Sequence, residues 1–257
     1  MAVVKYMRNF FSKLFSSPAP SDFSRLHTDL HSHLLPGLDD GVPTMEEALE
    51  VIEILSRLGY KRLITTPHVM AERYPNTSEV ILDQTRALQD AVKKAGIPVE
   101  IHAAAEYFMD EQFTDLLDHG ELLTLDRDRH VLVEMSFHHE PLALRQALFD
   151  LQAHDYQPIL AHPERYPYYH QKLDDYKALL KAGCKFQVNI LSITGHYGLD
   201  VQQAAQMLLK NGLVSFLGTD AHRLRHAQTL SAALRSGHLE KTLQQSFYNE
   251  KLVTASA

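Results

Sequence analysis

Imidazoles and carboxylates are the side chains of this protein best suited to chemistry. Its 257 residues include 16 histidines and no tryptophan, and histidine is the commonest metal ligand and a frequent acid or base. His31 and His33 flank Ser32, while Asp220 and His222 flank Ala221. In extended backbone, residues two apart point the same way, so each pair can offer two donors to one cation. His68 in Thr65-Thr66-Pro67-His68, Glu106, Glu134 in Val133-Glu134-Met135, His162 in Leu160-Ala161-His162-Pro163 and Asp40 complete a set of five histidines and four carboxylates. Four buried carboxylates would repel one another unless cations lay among them. Mixed imidazole and carboxylate donors suit Zn, Mn or Fe better than Ca or Mg, so a multinuclear metal site is expected.

The nine residues meet only if the fold gathers positions spread over nearly the whole chain. Short β-prone segments alternate with longer helical patterns. The strand candidates are Leu26–His31, Arg62–Thr66, Glu100–Ala105, Val131–Met135, Pro158–Ala161, Phe186–Ile190 and Val214–Gly218. Several are apolar runs with few polar breaks, as in strands covered on both faces. Helical patterns follow at 44–58, 78–95, 141–154, 173–182, 200–211 and 226–248. Thr44-Met45-Glu46-Glu47 reads as a capping box, and Gly59 and Gly96 fall where helix C-caps belong. Seven strands joined by crossovers imply a parallel α/β sheet, either closed or open and doubly wound. In a (β/α) barrel the C-terminal strand ends converge on one mouth, where active sites are built. Six of the seven expected strands bring a histidine or a carboxylate to that mouth, Asp40 lies in the loop after the first, and the sixth strand offers Asn189.

Other chemistries are excluded. No GxGxxG or GxxxxGK[ST] nucleotide-binding sequence is present. The single cysteine, Cys184, rules out a disulfide framework or a multi-cysteine zinc site. A net charge of −7 argues against nucleic-acid binding. There is no uninterrupted apolar run of about 18 residues to cross a membrane. Residues 1–24 form a basic extension and linker: Lys5, Arg8 and Lys13 accompany Met7, Phe10, Phe11, Leu14 and Phe15 at roughly helical spacing, ahead of Ser16-Ser17-Pro18-Ala19-Pro20. This segment is read either as an amphipathic helix on a membrane or partner, or as one packed on its own domain. Residues 25–253 are read as one catalytic domain and 254–257 as a tail.

The segments Asp29-Leu30-His31-Ser32-His33, Leu35-Pro36-Gly37-Leu38-Asp39-Asp40-Gly41, Thr66-Pro67-His68, Ala161-His162-Pro163-Glu164-Arg165 and Thr219-Asp220-Ala221-His222 resemble the polymerase-and-histidinol-phosphatase (PHP) superfamily. More narrowly, they resemble its bacterial manganese-dependent tyrosine phosphatases of capsule and exopolysaccharide operons. The resemblance implies a distorted TIM-like (β/α)7 barrel with helices outside and two to three divalent metals, most often Mn, with Fe or Zn as alternatives. By position, His31, His33, Glu106 and Asp220 match one metal's ligands. Glu106, Glu134 and His162 match a second, and Asp40, His68 and His222 a third. Arg165 matches a phosphate-binding arginine, and Arg223 and Arg225 compete for a second such role. Arg165, His68 and His162 are the catalytic candidates, and Tyr107 and Tyr166 are candidates to stack on a phosphotyrosine ring.

The reaction so implied is phosphotyrosine hydrolysis by metal-activated hydroxide, with a membrane-bound bacterial tyrosine autokinase of polysaccharide export as partner and a cytoplasmic location, in contact with the membrane through residues 1–20. A cysteine mechanism does not fit: it needs an arginine six positions after the nucleophile, and Ile190 stands there. Histidinol-phosphate hydrolysis or another PHP phosphoesterase activity is the nearest rival, and a metal-binding regulator without turnover is the non-enzymatic one.

Overall fold

The structure, a computed structural model, describes residues 22–252. Residues 1–21 of the proposed basic extension, and the tail, lie outside the described residues. Phe23 is fully buried, its backbone N–H donates to Leu58 O at 2.7 Å, and its ring lies 5.1 Å from that of Tyr60. Packing therefore starts before the expected boundary at residue 25.

Nine short strands alternate with helices among the described residues: β1 (Thr28–Asp29), β2 (Arg62–Thr65), β3 (His68–Val69), β4 (Glu100–Ala103), β5 (Glu106–Phe108), β6 (His130–Glu134), β7 (Gln157–Ala161), β8 (Lys185–Asn189) and β9 (Phe216–Gly218). All laddered pairs are parallel, in the orders β1-β2-β4 and β3-β5-β6-β7-β8-β9. Seven of these match the expected strands; β3 and β5 are additional short strands just beyond the expected ends of the second and third, at Thr66 and Ala105. β2 and β3 are separated by Thr66-Pro67, where proline has no N–H for the ladder. Thr66 N–H instead bonds Ser32 O (2.6 Å), and Glu106 N–H bonds Pro67 O (3.1 Å).

The ring closes irregularly. β1 and β9 share no ladder; their extensions meet in one isolated parallel bridge, Ser32 with Ala221. Asp220 N–H bonds His31 O at 2.8 Å and His33 N–H bonds Ala221 O at 3.0 Å. The result is a distorted parallel α/β ring.

Strand alternation divides the core. Leu30, Ile64, Leu132, Ile159, Ala161 and Phe216 pack together inside the ring. Val131, Val133, Leu160, Phe186, Val188 and Leu217 join the outer cluster under the helices. Each such buried aliphatic or aromatic side chain contributes roughly 1.5–3 kcal/mol of transfer free energy. The same alternation sends Glu134, two residues beyond Leu132, to the inner face at the strand's C-terminal end.

The helix after β1, Met45–Arg57, starts where expected, with Thr44 Oγ1 accepting from Glu47 N–H at 3.3 Å. The reciprocal half of the capping box is absent: the Glu47 carboxylate instead accepts from Leu224 N–H at 3.0 Å, at the start of the helix Leu224–Arg235. The expected helix over 226–248 is interrupted. It ends at Arg235, Gly237 takes φ 76°, and Glu240–Leu243 forms a separate turn; glycine past a helix end is the usual stop. The helix Glu111–Asp118, unforeseen, is capped by Asp110 through Phe113 N–H at 3.0 Å.

Candidate metal centre and anion pocket

All nine chemistry-bearing residues converge at the C-terminal ends of the strands. His31 Nε2 lies 3.2 Å from Glu106 Oε2 and 3.4 Å from Asp220 Oδ1. His33 Nε2 lies 3.4 Å and 3.5 Å from the same two atoms. His162 Nε2 stands 3.1 Å from Glu106 Oε1 and 3.6 Å from Glu134 Oε1. Asp40 Oδ1 is 3.5 Å from His68 Nε2 and 3.6 Å from His222 Nε2. His68 also turns Nδ1 toward Glu106 (3.2 Å) and Glu134 (3.5 Å), linking two of these groups.

The donor chemistry fits cations. His31 Nδ1 donates to Gln187 Oε1 at 2.7 Å, and His33 Nδ1 donates to Asp39 Oδ2 at 2.6 Å. In its neutral form each imidazole keeps a lone pair on Nε2 facing the acceptor-only oxygen Glu106 Oε2. That oxygen is buried and has no hydrogen-bond partner among the described residues. Burial opposes protonation of the two imidazoles, but the Glu106 and Asp220 carboxylates beside His31 and the Asp39 carboxylate beside His33 outweigh it and raise both above their ordinary value, so positive charge is favoured there. Lone pairs converging on a carboxylate oxygen repel unless a proton or a metal cation lies among them. An outer partner that fixes the tautomer and orientation of a histidine is the usual support of a metal ligand.

The supporting network extends further. Asp39 also accepts from His68 N–H (2.9 Å) and Gly41 N–H (2.8 Å). Gln187 Nε2 donates to Asn189 Oδ1 (2.9 Å), and Asn189 Nδ2 donates to Asp220 Oδ2 (2.6 Å). Gly41 and Gly218 let these shells close. A Cβ on Gly41 would sit 2.4 Å from His33 O, and one on Gly218 would sit 2.6 Å from Gln187 Nε2 and 2.9 Å from His31 Cβ. His162 and Asp220 have φ of 33° and 50°, a left-handed conformation rare for residues with a Cβ and concentrated at functional sites.

Burial and the close packing of charged groups set the electrostatics. Burial and the neighbouring Arg165 charge push the His162 imidazole down to about 4, so it is neutral at neutral pH. Burial and the adjacent Glu106 carboxylate hold Glu134 well above the ordinary carboxylate range. Burial opposes ionisation of Glu106 as well, but the His31 and His68 charges and the His162 hydrogen bond outweigh it and bring Glu106 well below its ordinary value.

The cluster opens into a pocket of about 410 Å³ lined by Asp40, His68, Glu106, Glu134, His162, Asp220 and His222, with Arg165, Arg223, Phe137, Tyr197 and His226. A larger cavity, about 850 Å³ beside Lys61 and Val99, contains none of the nine. Arg165 Nη1 donates to Asp220 Oδ2 at 3.0 Å, which ties the guanidinium to the cluster.

Of the two rival arginines, Arg223 lines the pocket and Arg225 does not. Tyr107 and Tyr166 do not line it either. Strand alternation turns Tyr107 away from Glu106 into the outer core, where its hydroxyl accepts from Leu123 N–H at 2.7 Å. Tyr166 is fully buried and accepts from Met135 N–H at 3.0 Å. The aromatic residues that reach the pocket, Phe137 and Tyr197, were not anticipated; nor were Asp39 and Gln187. For Gln187 a signal existed, because it shares the inward face of β8 with Asn189.

The tyrosine-protein phosphatase YwqE of Bacillus subtilis is 27% identical over 197 residues, which cover 77% of this chain and 78% of that protein. The tyrosine-protein phosphatase CpsB of Streptococcus pneumoniae is 24% identical over 201 residues, covering 76% and 83%. A solved structure from work on YwqE of B. subtilis and CpsB of S. pneumoniae, described as metal-dependent tyrosine phosphatases, superposes with a TM-score of 0.72 at 24% identity. It covers 90% of this chain and 100% of its own, and shows the shared fold. Residues 27–254 match the family of capsular polysaccharide synthesis proteins CpsB/CapC, and the chain belongs to that family.

Proposed function

We propose that this protein is a metal-dependent protein-tyrosine phosphatase. The observation that carries the reading is Glu106 Oε2, buried without a hydrogen-bond partner and faced by imidazole nitrogens, with Arg165 beside it in the same pocket. The names of the relatives support the substrate class.

His31, His33, Glu106 and Asp220 would hold one divalent cation, Glu106, Glu134 and His162 a second, and Asp40, His68 and His222 a third, with Mn the proposed metal. When bound, such cations supply Lewis acidity and hydroxide at neutral pH. The chain's own residues do the rest. Arg165 has a planar fork of donors, of which Nη1 is engaged by Asp220; the remaining donors suit phosphoryl oxygens, a geometry lysine lacks. Arg223 adds positive charge at the same pocket. His162, neutral at working pH, keeps a lone pair for a cation rather than repelling it. The leaving phenol has a pKa of about 10, so it departs more readily than an alkoxide and places less demand on a general acid.

The proposed protein substrate is a membrane-bound tyrosine autokinase of the polysaccharide export system, met in the cytoplasm. Among the described residues no helix is long and apolar enough to cross a membrane.

The test is turnover of a phosphotyrosine peptide and of histidinol phosphate by metal-analysed protein, with chelator and thiol alkylator as separate additions. The peptide should be preferred, chelator should abolish activity, and alkylation should not, because burial raises the Cys184 thiol to about 12. Inactivation by alkylation with indifference to chelator would overturn the reading.

A further inference from the structure

Arg165 stands between two aromatic rings. Its guanidinium carbon is 4.7 Å from the Tyr197 ring centroid and 5.0 Å from that of Phe137, and all three side chains line the pocket. Phe137 is 37% exposed, whereas large apolar side chains are more often withdrawn from water. Its ring is supported from behind. It stacks on His162 at 5.7 Å with planes 20° apart, and lies 5.4 Å from the Tyr166 ring. The backbone before it is held as well: Met135 N–H donates to Tyr166 Oη at 3.0 Å, and Tyr168 Oη donates to Ser136 O at 2.8 Å. A partly exposed aromatic ring is therefore held in place beside the arginine.

We propose that Phe137 is a specificity-determining residue, the platform for the aromatic ring of an aryl phosphate ester. The inference rests on the phosphatase reading above and deepens it by naming what separates aryl from alkyl esters. With the phosphoryl group at Arg165, the ester's ring would lie against the Phe137 face. Aromatic pairs in offset contact gain stabilisation beyond simple area burial, and a platform already held in position loses little conformational freedom on binding. A serine or alkyl phosphate reaches the same arginine but presents no flat group to the ring.

The experiment is calorimetric titration of the metal-loaded protein with phenylphosphonate and methylphosphonate, which bind without being hydrolysed. Wild type should bind the phenyl compound more tightly. Phe137→Ala should weaken phenylphosphonate roughly threefold to tenfold and leave methylphosphonate within about twofold, while Phe137→Tyr should restore the preference. Phe137→Leu, which keeps apolar bulk without a flat face, should give the same split if the alanine variant fails to fold. Parallel weakening of both ligands would mean that Phe137 merely steadies Arg165, and unchanged binding of both would mean that the ring is not used; either result overturns the proposal. Turnover of a phosphotyrosine peptide by wild type, run alongside, tests the phosphatase reading separately: its absence would sink that reading, while the phosphonate pair still decides the role of Phe137.

Discussion

Replacing Asp39 by asparagine changes one oxygen into an amide nitrogen at a place where three donors converge. Asp39 Oδ2 accepts from His33 Nδ1 (2.6 Å) and His68 N–H (2.9 Å), and Oδ1 accepts from Gly41 N–H (2.8 Å). Whichever way the new amide lies, an NH2 group meets a backbone N–H. If its oxygen stays with His33, nitrogen faces nitrogen at Gly41. If it flips, the amide confronts His68 N–H and donates to His33 Nδ1, which moves the imidazole proton to Nε2 and removes the lone pair a cation needs. One unmatched buried donor costs about 1–3 kcal/mol of stability. Loss of the carboxylate behind a ligating histidine costs 10–100-fold in metal affinity or activity, on the order of 1.4–2.7 kcal/mol. Asp39→Asn should therefore lower the melting temperature of the metal-free protein and weaken Mn binding, measured by calorimetry after exhaustive dialysis against chelator. Wild-type Mn affinity in a folded Asp39→Asn protein would refute the argument that His33 is a ligand whose tautomer Asp39 sets.

Gly218→Ala should act on the other histidine, because its Cβ would displace the Gln187 amide that accepts from His31 Nδ1; a metal affinity at least several-fold weaker is expected, and titration indistinguishable from wild type would show that Gln187 does not orient His31. Glu164 gives a pH signature. Burial raises its carboxyl to about 7 despite hydrogen bonds from Ser192 and Asn189, so the native state binds this proton more firmly than the unfolded chain does. Its contribution to stability is full below about pH 4.5 and is lost as pH rises toward 7, up to roughly 3 kcal/mol in all. Denaturant titrations of metal-free Glu164→Gln between pH 5 and 8 should lack that decline, and parallel slopes in wild type and variant would rule it out.

The parts of the site that follow local spacing were legible in the sequence. His31-x-His33 and Asp220-x-His222 carry their geometry in two-residue alternation, and short apolar runs located the strand ends that gather the rest. Adjacency in sequence misled where the backbone turns the neighbour away: Tyr107 follows Glu106 but lies on the opposite face of β5, and Tyr166 follows Arg165 but is buried with its hydroxyl bonded to Met135 N–H. Phe137 and Tyr197 come from irregular segments, the first after β6 and the second after the short helix Ile190–Ile193, where no period marks direction. Asp39 and Asp40 look alike in the chain; only the fold shows that one is enclosed against His33 while the other faces the pocket. The short strands β3 and β5 were missed because two or three residues just past Thr66-Pro67 and Ala104-Ala105 are too few to show a period.

The weakly paired junction between β1 and β9 is also where His31 and His33 on one side face Asp220 and His222 on the other. A cation held there would act as a clasp, joining the first strand of the ring to the last, nearly two hundred residues away, at the place where the backbone alone does least. Loading the site would then govern how firmly the two ends are joined as well as turnover, and amide hydrogens around Ser32 and Ala221 would exchange at a pace set by metal supply.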